Sequence, residues 1–255
     1  MQSTDIQFHI HCKPGDIGRY VILVGDPARV EKVAALYDNA CFIAENREFK
    51  TFTGELCGRK VSVCSTGIGG PSAAIAMEEL HNLGADTFIR CGTCGGIDTD
   101  VRPGDIVVAT AAVRFEHTSL EYAPSEFPAV SDFDIAFALK KAALSFGLPV
   151  HMGIVQSKDS FYGQHTPEKS PVSYELLQKW EAWKRLHVKA SEMETAALFT
   201  VAAALGVRCG ACFHVMWNQE REKLGYVDNV SASVDAAVKT AAAALKSVII
   251  SDMEG

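Results

Sequence analysis

No stretch of this 255-residue chain approaches the ~20 consecutive apolar residues of a membrane-spanning helix. The longest apolar runs, Tyr20 to Gly25 and Cys209 to Val215, are far shorter. The N-terminal run MQSTDIQFHIHCK lacks a charged start followed by an apolar core, so no export leader is read and a cytoplasmic location is expected. Positive charge is also in deficit, with 24 Lys and Arg against 31 Asp and Glu, a net charge of -7. That balance argues against a nucleic acid held along a broad basic face, while leaving room for a few arginines converging on one small anion. Cysteine, at eight residues, is too sparse for a disulfide scaffold. Two CxxC pairs, Cys91/Cys94 and Cys209/Cys212, raise zinc, but each adjoins a β-rich run. Residues three apart on a strand point to opposite faces, so one metal could not take both; no metal and buried free thiols are expected.

What is present is an ordinary globular composition, 48% hydrophobic and 22% charged, enough for one domain spanning residues 1–255. Short β-rich runs alternate with amphipathic helical ones: YVILVG before PARVEKVAALY, KVSVCS before SAAIAMEELHNLG, then TFIRCG and GDIVVATAAV. Such alternation marks an α/β fold. The helix starting at Ser72 places Ala76, Leu80 and Leu83 on its packed side, turns Glu78 and Glu79 away, and stops at Gly84. A second stripe, Val234, Val238, Ala241, Leu245 and Val248, reads as a packed C-terminal helix. No repeat or linker is visible. The polar interruption from Ser157 to Ser173 is too long for a routine connection and reads as a substrate-binding loop.

Glycine-rich turns follow three of the strands, at Gly25-Asp26-Pro27, GIGGPS from Gly67 and GTCGG from Gly92. Ligands of open α/β sheets gather at such strand ends, where glycines let backbone N–H groups approach an anion. Asp26-Pro27 has a plainer reading as a helix N-cap followed by proline at the first helical position. Gly67-Ile68-Gly69 fails as a dinucleotide fingerprint, because Ser72 stands where the third glycine belongs. Arg29, Arg47 and Arg90 are candidate anion ligands, since a planar guanidinium takes two phosphate oxygens at once, although any one of them taken alone is as readily a surface ion pair. Glu192 and Glu194 flank Met193 at a helix start, where two carboxylates are either first-turn acids or acceptors for paired hydroxyls.

The segment STGIGGPSAAIAMEEL, Ser65 to Leu80, resembles the signature of the nucleoside phosphorylase family, and FHI, VGDPARV, NREF, IRCGTCGGI, FPAVSDF, DSFYGQ and SEMETAAL are similar to further landmarks in the same order. The resemblance covers nearly the whole chain and implies a three-layer α/β/α fold with a central mixed sheet flanked by helices. It also implies that Gly25, Arg29, Arg90 and Thr93 hold phosphate, with Arg47 reaching in from a neighbouring subunit. His9 would contact the ribose 5′-hydroxyl across the same interface, and Glu194 with the Met193 backbone would take the 2′ and 3′ hydroxyls, with Glu192 beside them in the ribose site. Sites shared in this way require a homo-oligomer, by resemblance a hexamer built from dimers.

Base choice follows from two further matches. Purine-specific relatives carry a serine and an aspartate after the strand ending near Val215, whereas this chain has Met216-Trp217-Asn218 there. Phe161 and Gln164 match the pyrimidine branch, where a phenylalanine packs by sugar and base and a glutamine amide pairs with the uracil edge. Two arginines of that branch are missing, with Thr166 and Gln219 in their places. Lys158, His165 and Arg221 are the nearby cations that would substitute for them. The expected activity is therefore phosphorolysis of uridine by inorganic phosphate, without a cofactor and with Arg90, Glu194, Lys158 and His165 as its catalytic groups. A relative acting on another nucleoside, a water-using nucleosidase and a non-catalytic nucleoside binder are the alternatives.

Overall fold

A computed structural model describes residues 6–228 and 233–254, so the first five residues of the N-terminal run MQSTDIQFHIHCK lie outside the described residues. Ten strands form a single sheet: β1 (Tyr20–Val24), β2 (Asp38–Asn46), β3 (Phe49–Leu56), β4 (Arg59–Ser65), β5 (Thr87–Gly96), β6 (Ile106–Phe115), β7 (Ala129–Val130), β8 (Val150–Lys158), β9 (Ala190–Glu192) and β10 (Arg208–Asn218). Their order is β10-β6-β8-β9-β5-β1-β4-β3-β2, and β10 also pairs with β5. That last pairing closes five strands into a ring, from which β1 to β4 extend as an open wing.

β1 explains why the sequence reads as it does. Its five residues YVILV are all buried: parallel partners β4 and β5 flank it in the sheet, and a core cluster covers each of its faces. A strand covered on both faces needs a continuous apolar run rather than an alternating one. Alternation persists in where the side chains go: Val21 and Leu23 join one core cluster while Ile22 and Val24 join the other. The first cluster is covered by α2 (Gly70–Asn82) and α7 (Thr195–Leu205), which contribute Met77, Leu80, Leu198 and Phe199. The second is covered by α1 (Val30–Ala34), α4 (Phe133–Ser145) and α9 (Asp235–Glu254), with Val33, Leu139 and Leu245. The result is the three-layer α/β arrangement with a mixed central sheet.

The CxxC pairs split as strand geometry requires, Cys94 and Cys209 in one core and Cys91 and Cys212 in the other. All eight cysteines are free, and among the described residues no cluster of metal-ligating side chains occurs. No helix among the described residues is long and apolar enough to cross a membrane.

Four local expectations need correction. PARVEKVAALY is not one helix but a single 3₁₀ turn, Pro27–Arg29, followed by the five residues of α1. Helix α2 starts at Gly70 rather than Ser72, with Pro71 in its first turn. Glu79 does not face away from the core: it is buried, and its carboxylate accepts the backbone N–H groups of His9 (2.9 Å) and Ile10 (2.9 Å). Helical spacing identified the apolar side of α2 but not the N-terminal segment that packs against its polar side. The interruption from Ser157 is also more ordered than a loop, since it holds α5 (Phe161–His165), a 3₁₀ turn at Pro167–Lys169 and then α6 (Ser173–Arg185). The remaining short helices are α3 (Thr118–Tyr122) and α8 (Gln219–Lys223).

Candidate active site

The ends of β1, β5, β8, β9 and β10 surround a cavity of about 660 Å³, the size of a nucleoside-scale ligand site. Its floor is Arg90, which projects from β5 with 4% exposure. One guanidinium nitrogen, Nη2, donates to Glu194 Oε2 at 2.8 Å, while Nε and Nη1 are buried without a hydrogen-bond partner. A buried cationic donor left unsatisfied is costly, and the arrangement is economical only if an anion arrives to take both groups. Two glycines make space for the guanidinium: a Cβ at Gly25 or at Gly92 would each lie 3.3 Å from Nη2. Arg29 and Thr93 line the same end, and Asp26 is the N-cap its plainer reading described, accepting the Ala28 N–H at 2.9 Å.

Glu194 is the N-cap residue of α7, though its side chain does not cap the helix. Its Oε1 instead accepts the Gly69 N–H at 2.8 Å, and Oε2 is taken by Arg90. An ionised carboxylate offers about four lone-pair sites, so two remain for ligand hydroxyls. Glu192 does the capping. Its Oε2 accepts the N–H groups of Glu194 (2.8 Å) and Thr195 (3.0 Å), and Ser157 donates to its Oε1. With these bonds made, Glu192 positions the start of α7, and burial raises its pKa with the neighbouring Glu194 charge adding to the effect. Met193 lines the cavity between the two acids.

At the far end lie Lys158, Gln164, His165, Phe161, Met216 and Trp217. Lys158 is not an exposed loop lysine: it ends β8 at 5% exposure, donates to Ser191 Oγ at 2.7 Å, and burial lowers its pKa to about 8. Gln164 shares the same serine hydroxyl, 2.7 Å from its Oε1. His165 sits between Phe161 and Trp217, with ring centroids 4.2 and 5.3 Å away, and burial together with the Lys158 charge lowers its pKa. The imidazole is therefore mainly neutral at pH 7, which leaves Lys158 as the cation of this end. A register shift in β10 between Val215 and Trp217 opposite β5 turns Met216 and Trp217 into the cavity, as bulges commonly do at sites.

A profile of the Phosphorylase superfamily matches residues 19–250. The chain belongs to that superfamily. Superfamily members similar to it include the uridine phosphorylase of Treponema pallidum (strain Nichols), 51% identical over 250 residues covering 98% of this chain and 97% of the relative. The uridine phosphorylase of Escherichia coli (strain K12) is 41% identical over 94% of this chain and 96% of its own. A guanosine phosphorylase of Halorubrum lacusprofundi is 41% identical over 80% of each chain.

Three of the residues singled out from the sequence stand outside this superfamily member's own cavity. Arg221 was a candidate for the base end, but its guanidinium is bound to Asp228 (2.6 Å) and the Thr99 carbonyl (2.7 Å) and stacks over Tyr226. Nearness in sequence to Gln219, the place of a missing arginine, misled here, because α8 turns Arg221 away from the cavity. His9 and Arg47 line nothing in their own chain's cavity; His9 Nδ1 is 2.6 Å from Glu79 Oε1, and Arg47 adopts a left-handed φ of 54° at the β2–β3 turn. Sequence reasoning missed Ser191, which connects Lys158, Gln164 and Gln156, and it passed over Trp217 except as the place of a missing acid. Ser191 was detectable only as the residue leading into Glu192-Met193-Glu194, a position with no chemical mark of its own.

Proposed function

We propose that the chain is a uridine phosphorylase, transferring the ribosyl group of uridine from uracil to inorganic phosphate. The observation that carries this is the buried guanidinium of Arg90, with two unpartnered donors, beside a carboxylate that retains acceptor capacity and opposite an end built of an amide and an ammonium. Phosphate would be held by Arg90, Arg29, Thr93 and the Gly25 N–H, with the partner subunit's Arg47 completing the set. Glu194, with the Met193 backbone, would accept from the ribose 2′ and 3′ hydroxyls, and the partner subunit's His9 would meet the 5′ hydroxyl. Glu192 acts through Glu194 as a positioning residue.

In the reaction a phosphate oxygen forms a bond to the anomeric carbon as the bond to uracil N1 breaks, and the bonding electron pair leaves with the base. Positive charge builds on the sugar between phosphate and Glu194, and negative charge builds on uracil, where Lys158, Gln164 and the neutral His165 ring provide donors. Preorganised charge and positioning account for the acceleration, and no cofactor enters. This mechanism runs in a homo-oligomer with shared sites, by family likeness a hexamer in the cytoplasm, and the chain works as one domain.

Both the Treponema pallidum and the Escherichia coli relatives are uridine phosphorylases, which favours uracil. The guanosine phosphorylase among the relatives keeps purine nucleosides in the test. Uridine, deoxyuridine, thymidine, inosine and guanosine are each incubated with catalytic enzyme, with and without phosphate. Uridine cleavage that depends strictly on phosphate is expected. Base release in water alone would convert the reading to a nucleosidase, and preference for a purine nucleoside would overturn it.

A further inference from the structure

A second cavity of about 540 Å³ lies behind the base end, bounded by the end of β6, α3 and α6. It shares only Lys158, Gln164, His165 and Trp217 with the first cavity, so these four side chains form a party wall. Nothing in the proposed reaction uses the space beyond them.

Its chemistry is specific. Glu116, 2% exposed, is one of the residues lining this cavity; its Oε2 accepts the Ser119 N–H at 3.0 Å, and its Oε1 is buried with no partner. The nearby Arg114 does not satisfy it, because that guanidinium is spent on Ser119 Oγ and on the carbonyls of Ser119, Ala123, Pro124 and Phe127. Aromatic side chains line the same cavity: Phe115 packed on Trp183 with centroids 6.2 Å apart, and Trp180, whose indole N–H is already committed to Glu220 at 2.9 Å. Four carboxylates and four Lys or Arg side chains line the cavity, a wall without net charge.

An unsatisfied buried acceptor calls for a donor, aromatic walls for a planar ring, and charge balance for a neutral molecule. We propose that this cavity is a second binding site, taking a neutral, planar heterocycle of the nucleobase class whose ring N–H donates to Glu116 Oε1. The proposal rests on the function proposed above for the identity of its ligand, since the base released by that reaction is such a molecule and leaves at the wall the two cavities share. A base held there lies against Lys158 and His165 without occupying the ribose or phosphate positions.

Calorimetric titration of the assembled enzyme with uracil, at saturating phosphate, tests it. Two uracils per chain are expected in the wild type. In Glu116→Gln the amide oxygen can keep the Ser119 bond while an N–H₂ group faces the cavity, so the second site should weaken at least about tenfold, with uridine phosphorolysis unchanged. Leu177→Trp, which fills the cavity from α6, should abolish that site without touching Glu116. A single uracil site in the wild type, or a second site indifferent to both variants, overturns the proposal; so does a Glu116→Gln variant whose loss appears in uridine turnover instead. Failure of uridine phosphorolysis in the wild type sinks the proposed function alone, because the uracil count and its dependence on Glu116 are read without turnover.

Discussion

The two ends of the first cavity are built on different principles. At the anion end an ion pair, Arg90 and Glu194, is buried at strand and helix termini, and each partner holds the other in place. At the base end the groups are an ammonium with its pKa pulled to about 8, a mainly neutral imidazole and an amide, gathered around one serine hydroxyl. A permanent charge is needed where phosphate must be bound and held. A donor near its titration point, as Lys158 is, suits the end where charge appears only as the base departs, because donors of intermediate acidity respond most to that change.

Removing the permanent charge should have the largest effect. Arg90→Ala should lower kcat/KM for phosphate roughly a thousandfold, with phosphate saturation most affected in steady-state assays. Unchanged phosphate kinetics would erase the distinction between the ends. Glu194→Gln keeps an acceptor for Gly69 but weakens the grip on Arg90 and on the sugar, so a loss of roughly a hundredfold in kcat for uridine is expected, larger than any change in phosphate affinity. Equal activity in that variant would take Glu194 out of the site.

At the base end Lys158→Met should slow uridine roughly ten- to a hundredfold while slowing 5-fluorouridine less, because the fluorinated base departs more easily. The pH profile sharpens the point. Burial lowers the Lys158 pKa, so the ammonium is present below about pH 8 and is lost as pH rises through that value. At saturating phosphate the wild-type rate should fall across that window and the limb should vanish in Lys158→Met. His165→Ala should cost less than Lys158→Met and leave that limb intact, since the imidazole is mainly neutral in the working range. Similar slowing of both substrates in both variants would mean that these residues only order α5. The smallest effect is expected for Arg221→Ala, within about twofold on uridine turnover, since its ion pair with Asp228 is remote from either end. A large loss there would mean that the arginine leaves Asp228 for the base during the reaction.

Legibility differed between the ends for a physical reason. Anion binding relies on residue types that announce themselves, arginine and glycine at strand ends, and Gly25, Arg29, Arg90, Thr93 and Glu194 do come together around one cavity. The base end relies on ordinary residues given meaning by their surroundings. Lys158 read as a replacement cation with no sign that β8 buries it, Arg221 read as another until α8 turned it toward Asp228, and Ser191 carried no chemical mark of its own.

The sequence by itself determined the strand YVILV, the opposite facing of the two cysteines in each CxxC, the C-terminal helix and the glycine turns at the strand ends. Each is a matter of local periodicity or of glycine stereochemistry, readable within a dozen residues. Tertiary structure alone decided that Arg90 meets Glu194 across 104 positions, that β10 closes the ring against β5, and that Glu79 lies buried under the N-terminal segment. Those contacts depend on strand order and on which elements pack together, and neither leaves a periodic trace in the chain.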